Sequence, residues 1–377
     1  MAQAGFAWAW RLFYLNRTQH FCVHQDHTGK RGDPMKSVFS RIAAVFIAGA
    51  VCAGAASAQQ ATVIRLSHGM PEALDSGQHA WALVFKEAVE NGSGGRIEVR
   101  ILGNNAAGNE RQQLERVQNG INQMLLVSEI TQPFFFKPAL VLGMPFLFRS
   151  SQVAWDVFDG PFGQRYDAEF QKATGVRILG HIESGFRSVF NSKVQVKTPD
   201  DLKGMKIRTG ENAVHMAMVR GLGASPVPVS WTEVYTALQQ KLVDGMENPP
   251  GLFFSMKFYE QQKHLTLNKH LYSIHTAMVN ERFFQGLSPE QRQLVVSSAH
   301  LATTVGRSQA FLLERAAIEN LKKHGIQVYT PTAAEFDQFR KLGRPPAEAL
   351  VRKEIGNEWV DAAIQAVTAS EQKLTKF

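Results

Sequence analysis

Apolar side chains recur at two rhythms along the chain, and the switches between them predict its elements. Residues 62–67 (TVIRLS) read as a β-rich strand. Residues 76–90 then place Ala80, Leu83, Val84 and Ala88 at helical spacing, closed by Asn91-Gly92-Ser93-Gly94-Gly95. Residues 96–102 (RIEVRIL) alternate as a second strand, 109–118 read as a helix, and 123–127 (QMLLV) as a third strand. This βαβαβ order predicts a mostly parallel sheet. Beyond the apolar stretches around Phe134-Phe135-Phe136 and Met144–Phe148, read as core, come two short helices and a strand near 176–180.

A second set of elements begins at residue 187. Strands are expected at 187–191, 205–208, 226–229 and 242–247, with helices at 211–222 and 233–240. Ser230-Trp231-Thr232-Glu233 has the spacing of a capping box and should open the second of these helices. Asn248-Pro249-Pro250-Gly251 breaks the last strand, and 270–280 could run back toward the first unit. From 289 to about 323 apolar residues keep helical intervals, a helix long enough to span two lobes. A short strand at 326–329 and further helices end the chain. The pattern as a whole predicts a two-lobed α/β protein with a hinged cleft, a shape that suits closure around a ligand and equally suits many two-domain enzymes.

Composition narrows this picture. The chain has 377 residues and a formal net charge of +8. From Met35 it reads MKSVFSRIAAVFIAGAVCAGAASAQQ, with Lys36 and Arg41 before an apolar stretch and Ala56-Ser57-Ala58 after it. That is the pattern of a secretory signal over 35–58, cleaved after Ala58 and too short to span a bilayer. Residues 1–34 precede it as an extension with no evident role, and the economical reading starts translation at Met35. Removing the first 58 residues leaves 35 basic and 31 acidic side chains, a net of +4, so nucleic-acid binding gains little support. Cys22 and Cys52 both precede the cleavage point, so the mature chain offers no thiol for disulfides, catalysis or metal binding.

Motifs of catalysis are missing: no H-E-x-x-H, no phosphate loop, no nucleophile elbow and no dinucleotide fingerprint. His264, His270 and His275 stand at spacings that suit no common ligand pair, so no metal and no cofactor are expected. Gly221-Leu222-Gly223 reads as a helix end. One charge stands out. In DLKGMKIRTG (201–210) Arg208 falls at the carboxyl end of a strand, the edge where open α/β sheets bind ligands. Its planar fork fits a carboxylate bidentately, although solvation or a structural ion pair is the commoner fate of such an arginine.

Five stretches taken in order resemble one family. They are DLKGMKIR (201–208), LGASPVPV (222–229), WTEVYTALQ (231–239), VDGMENP (243–249) and Phe258-Tyr259-Glu260. Together they are similar to the periplasmic solute-binding subunit of tripartite ATP-independent periplasmic (TRAP) transporters, the DctP type, and the likeness extends over nearly all of 60–350. The resemblance implies a periplasmic-binding-protein fold, with lobe I at 59–184 and 273–312 and lobe II at 185–272 and 313–366. It implies a receptor, not an enzyme, that closes over an organic acid and passes it to the small and large permease subunits for ion-gradient-driven uptake. A C4-dicarboxylate is the default, with a sugar acid or 2-oxo acid open.

By the same resemblance Arg208 is the carboxylate clamp and Arg187 a second arginine beside it. Asn248 supplies a cleft amide, Trp231 an aromatic wall, and Glu110 and Ser128 touch polar ligand groups from the first lobe. His68 and Glu72 lie in the loop after the first strand, near the cleft by topology. Where the family often has valine and proline after the clamp, this chain has Thr209-Gly210, which alters the loop expected there. A secreted hydrolase or lyase acting on an acidic substrate, and a receptor that serves a sensor kinase, are the rival readings.

Overall fold

The computed structural model describes residues 61–375. The extension 1–34, the signal segment 35–58 and the cleavage point after Ala58 lie outside the described residues. Nine strands form one sheet: β1 (Thr62–His68), β2 (Ile97–Leu102), β3 (Met124–Ser128), β4 (Val176–Asn191), β5 (Lys206–Thr209), β6 (Ser225–Pro228), β7 (Gly245–Asn248), β8 (His264–Asn280) and β9 (Gln327–Tyr329). Their order is β2-β1-β3-β8-β4-β7-β5-β6, with β9 beside β8. Two parallel trios, β2-β1-β3 and β7-β5-β6, thus flank the long antiparallel pair β4 and β8.

That pair departs from the expected pattern. Residues 176–180 and 187–191 were expected as separate strands, yet β4 runs unbroken for 16 residues. Its register against β8 shifts at three places, between Ile178 and Gly180, Glu183 and Gly185, and Arg187 and Val189. Each shift reverses which face the following side chains occupy, so the alternation that announces a strand is lost. Gly185, at φ +114°, takes a backbone conformation closed to most side chains at one of these kinks. The strand expected at 270–280 likewise begins earlier, at His264.

Eleven α-helices cover the sheet among the described residues: α1 (Gly77–Gly92), α2 (Glu110–Gln118), α3 (Ser151–Asp159), α4 (Pro161–Thr174), α5 (Ala213–Gly221), α6 (Val234–Gln239), α7 (Pro250–Ser255), α8 (Glu281–Gly286), α9 (Pro289–Lys323), α10 (Ala333–Ile355) and α11 (Asn357–Leu374). Reciprocal capping boxes open three of them. Asn109 and Gln112 start α2, Ser288 and Gln291 start α9, and Thr332 and Glu335 start α10. The box read at Ser230 does not form. Trp231–Glu233 make one 3₁₀ turn instead, the Ser230 hydroxyl faces Thr232 at 3.3 Å, and α6 begins only at Val234. Gly223, at φ +86°, ends α5 as the sequence implies.

Three apolar cores hold this together. One lies between the first trio, α1 and α9, around Ile64, Trp81, Phe85 and Ala299. A second lies under β7, α6 and α7, around Phe190, Phe253, Phe258 and Leu321. The largest joins the buried 136–148 segment, α3–α5, α10 and α11, and takes in Phe136, Met144 and Phe148 as expected, whereas Phe134, read as core from the sequence, is 46 % exposed and stays outside it. The 35-residue α9 packs on α1, on β4 and on α7, and so runs from one trio to the other. Among the described residues no helix is long and apolar enough to cross a membrane.

Gly245 shows how closely the central strands approach. A Cβ there would stand 2.9 Å from Asn191 Cβ and inside contact distance of the Phe190 carbonyl oxygen. Gly245→Ala should therefore destabilise by about 1–3 kcal/mol through overpacking. Gly251→Ala, with nothing within 4 Å of the new methyl, should stay within about 0.5 kcal/mol of wild type. Urea denaturation of both variants checks this, and equal stability of the two would contradict the close approach.

Candidate functional site

The carboxyl ends of both parallel trios meet at one cavity. Ser128 ends β3, Asn248 ends β7, and Arg208 stands one residue from the end of β5. Arg187 and Ser273 line the same space from β4 and β8. The topology alone would direct a ligand here, because strand carboxyl ends leave side chains and backbone groups that no ladder consumes.

Arg208 is 3 % exposed. Its Nε and Nη2 both donate to the Val229 carbonyl, at 3.1 and 2.6 Å, and its guanidinium carbon lies 5.7 Å from the centre of the Trp231 ring. Among the described residues no carboxylate comes within salt-bridge distance of it, and Nη1 has no protein acceptor. Burial, with the charge of Arg187 nearby, pulls its pKa down to about 10. A guanidinium at this depth without an anion is electrostatically incomplete.

Arg187 is the opposite case. It is equally buried, but its Nε and Nη2 bind the Glu247 carboxylate, Nη2 at 2.9 Å, and Nη2 also donates to the Glu247 carbonyl at 2.7 Å. This is an inter-strand ion pair, from β4 to β7, so the second arginine that the resemblance implied for the ligand is already paired within the chain. Only Nη1 turns elsewhere, 3.5 Å from Ser273 Oγ. Burial works against both charges, yet each partner overcomes it: Arg187 is raised, and Glu247 is held well below the usual carboxylate range. His270 Nε2 lies 3.3 Å from the Glu247 carboxylate, while His215 Nδ1 at 3.6 Å is beyond hydrogen-bond reach. Burial lowers the pKa of both rings.

Behind Ser273 sits Glu129, 1 % exposed. Its carboxyl meets the Ser273 hydroxyl at 2.7 Å and accepts from the Ile274 amide at 3.1 Å. Burial pushes it up to about 7, against the opposing pull of Arg187 and these hydrogen bonds.

Asn248 has no exposed surface, lines the cavity, and has no partner for either amide atom. Trp231 also lines it, packed edge-to-face on Phe258 at 5.5 Å with its Nε1 unpartnered. From the first trio, Glu110 opens α2 and accepts from Ser128 Oγ at 2.6 Å and Thr131 Oγ1 at 2.8 Å. Phe134 reaches the wall as well, under the Arg111 guanidinium at 4.9 Å.

The cavity therefore gathers six of the eight sequence candidates. His68 and Glu72 are the two it does not. His68 is fully buried at the end of β1, with one ring nitrogen 3.2 Å from His79 and the other taking the Met70 amide. Burial and His79 bring its pKa down to about 4. Glu72 points out of the loop, where it accepts from the Gly103 amide at 3.1 Å. The loop does reach the cavity, but through Met70, because β1 continues one residue further than expected and carries His68 into the sheet. Sequence reasoning missed Glu129, Glu247, Ser273 and His275. Glu247 stood in the quoted VDGMENP stretch beside Asn248, but its partner lies 60 residues away and is fixed only by strand order.

His264, His270 and His275 do not converge, and among the described residues no group of three or more His, Cys, Asp or Glu is placed to hold a metal.

Comparison with known proteins shows the family. A family model described as bacterial extracellular solute-binding protein, family 7 (DctP), matches residues 67–354. The 2,3-diketo-L-gulonate-binding periplasmic protein YiaO of Escherichia coli is 33% identical over 287 residues, covering 76% of this chain and 86% of that protein. The sugar acid binding protein DctPAm from Advenella mimigardefordensis, solved in complex with galactonate, is 30% identical with a TM-score of 0.79. The match covers 82% of this chain and 99% of that one. A TRAP periplasmic solute-binding protein from Polaromonas sp. JS666 bound to D-erythronate is 34% identical with a TM-score of 0.75, covering 80% and 98%. The chain belongs to the DctP family of bacterial extracellular solute-binding proteins.

Proposed function

We propose that this protein is the periplasmic receptor of a TRAP transport system, and that it binds an organic acid with the carboxylate on Arg208. One observation carries the reading: a buried guanidinium, free of any protein carboxylate among the described residues, lines a cavity beside the unpartnered amide of Asn248. A carboxylate supplies the charge that Arg208 lacks and can accept from Asn248 Nδ2, leaving Asn248 Oδ1 to a donor such as a ligand hydroxyl. The ligands named for relatives of this chain, galactonate, D-erythronate and diketogulonate, are all carboxylic acids.

The cycle follows from the electrostatics. In the open receptor the two lobes, 59–184 with 273–312 and 185–272 with 313–366, stand apart and water solvates Arg208. Closure removes that water. Without an anion it leaves a desolvated charge, so the closed state gains its stability from the ligand. Trp231 and Phe134 then cover the acid's apolar surface. The loaded receptor docks on the small and large permease subunits, which use an ion gradient to take the acid up. The family consists of binding proteins, and the acid should be recovered chemically intact after incubation with stoichiometric protein.

Arg208→Ala should weaken binding of the natural acid at least about 30-fold by calorimetry, in line with the roughly 2–5 kcal/mol lost when one partner of a buried charge pair is removed. Unchanged affinity would mean the clamp is misplaced. Glu129 adds a pH signature. Its folded pKa of about 7 stands above the ordinary 4.5, so the folded state binds this proton more tightly than the unfolded chain does. Its contribution to stability is complete below pH 4.5 and is lost as pH rises through 7. Glu129→Gln removes that dependence. The melting temperature of the variant minus that of wild type should rise between pH 5 and pH 8, and a flat difference would place the proton elsewhere.

A further inference from the structure

Beside the Arg208 cavity lies a second one, and four residues wall both: Met70, Ser184, Leu252 and His275. The two are neighbouring chambers with a shared partition. Gln78, in the first turn of α1, lines the second cavity and not the first. It is 1 % exposed, and neither its Oε1 nor its Nε2 has a hydrogen-bond partner. Gln309 Oε1, from α9, is a further unpartnered acceptor on the same wall. Leaving a buried amide unpaired at both ends costs about 1–3 kcal/mol per group, so such a side chain points to something that occupies the chamber.

Charge in the second chamber is one-sided. Asp75, Glu183 and Glu314 line it and no lysine or arginine does. Glu183 is already held by Ser151 Oγ at 2.8 Å and Trp155 Nε1 at 2.9 Å, and Glu314 by Lys269 at 3.2 Å. The amino end of α1 would by itself favour an anion, but Asp75, next to its cap, supplies one. A second carboxylate would face three acidic side chains without a counter-charge. An ammonium could satisfy Gln78 Oε1 but not Nε2, because it has no acceptor. A hydroxyl both donates and accepts, so it alone of the three answers both ends of the amide.

We infer that the second chamber is the distal subsite of the same ligand, with Gln78 as its specificity-determining residue, and that the ligand is a monocarboxylate with an extended polyhydroxylated tail. This rests on the assignment of the carboxylate end to Arg208. The tail passes the Met70, Ser184, Leu252 and His275 partition and ends on the Gln78 amide. The imidazole of His275, whose pKa burial and the charge of Arg187 bring down to about 3, is neutral there and adds no charge to the passage.

Calorimetry on wild type, Gln78→Leu and Arg208→Ala, with a panel of six-carbon aldonates, glycolate and succinate, tests this. Wild type should bind at least one aldonate tenfold or more tighter than either glycolate or succinate. Gln78→Leu should cost that aldonate tenfold or more and leave glycolate, which is too short to pass the partition, within twofold. Melting temperatures read alongside establish that the variant is folded, and Gln78→Ala replaces it if it is not. Equal weakening of aldonate and glycolate would make Gln78 a structural residue and overturn the subsite. Tighter binding of succinate than of every aldonate would overturn it too. Arg208→Ala with undiminished affinity for every acid would fault the carboxylate clamp itself, a different failure from that of the distal subsite.

Discussion

A guanidinium taken out of water calls for a counter-charge at contact distance, and no carboxylate of the described residues comes that close to Arg208. Val229 gives it a carbonyl and Trp231 a ring face, and both orient the group without neutralising it. Burial accordingly drags its pKa down, the reverse of the shift expected for an arginine in an ion pair. Every other feature of the cavity follows from this incompleteness. The strand end places the charge at the sheet edge, the cavity leaves room for an anion, and Asn248 waits beside it with both amide atoms unpaired.

Two buried arginines lie in one cavity, and they do different work. Arg187 spends Nε and Nη2 on Glu247, so it ties β4 to β7 and fixes the floor of the cavity. A buried pair of this kind gains little stability over apolar packing, because desolvation consumes most of the attraction. What it provides is position: the Arg187 charge stays close enough to depress Arg208 while Glu247, His270 and Ser273 hold its plane still. Had Glu247 paired with Arg208 instead, the clamp would be spent within the chain and the cavity would have no call for an anion.

How far the sequence disclosed this depended on whether each signal was local. The capping boxes at Asn109, Ser288 and Thr332 are each set by four consecutive residues, although only the spacing at Ser230 was read as one. The 35-residue α9 declares itself by its own period, and Arg208 by its place before a turn. Ser230 shows the limit, since its spacing is right but the chain enters α6 through a 3₁₀ turn that turns the hydroxyl toward Thr232. The β4 kinks were hidden because a register shift erases the alternation that marks a strand. Glu129 and Gln78 were hidden for a different reason. Each is an ordinary polar residue in its own segment, and only packing against distant elements makes one a buried acid and the other an unsatisfied amide.

The two walls of the first cavity are unequal, and the inequality gives binding a direction. On the wall from the first trio, Glu110, Ser128 and Thr131 already satisfy one another. That wall loses nothing by standing empty. On the wall from the second trio, Arg208, Asn248 and the Trp231 indole all lack partners in whole or in part. On the proposed reading, an arriving acid gains most by settling on the second wall first, where its contacts go to groups that lack a partner among the described residues. The first wall would close afterwards by exchanging hydrogen bonds that it already has, which would let it discriminate among acids once one is held. Affinity would then reside with Arg208 and Asn248, and selectivity with the side that closes over them.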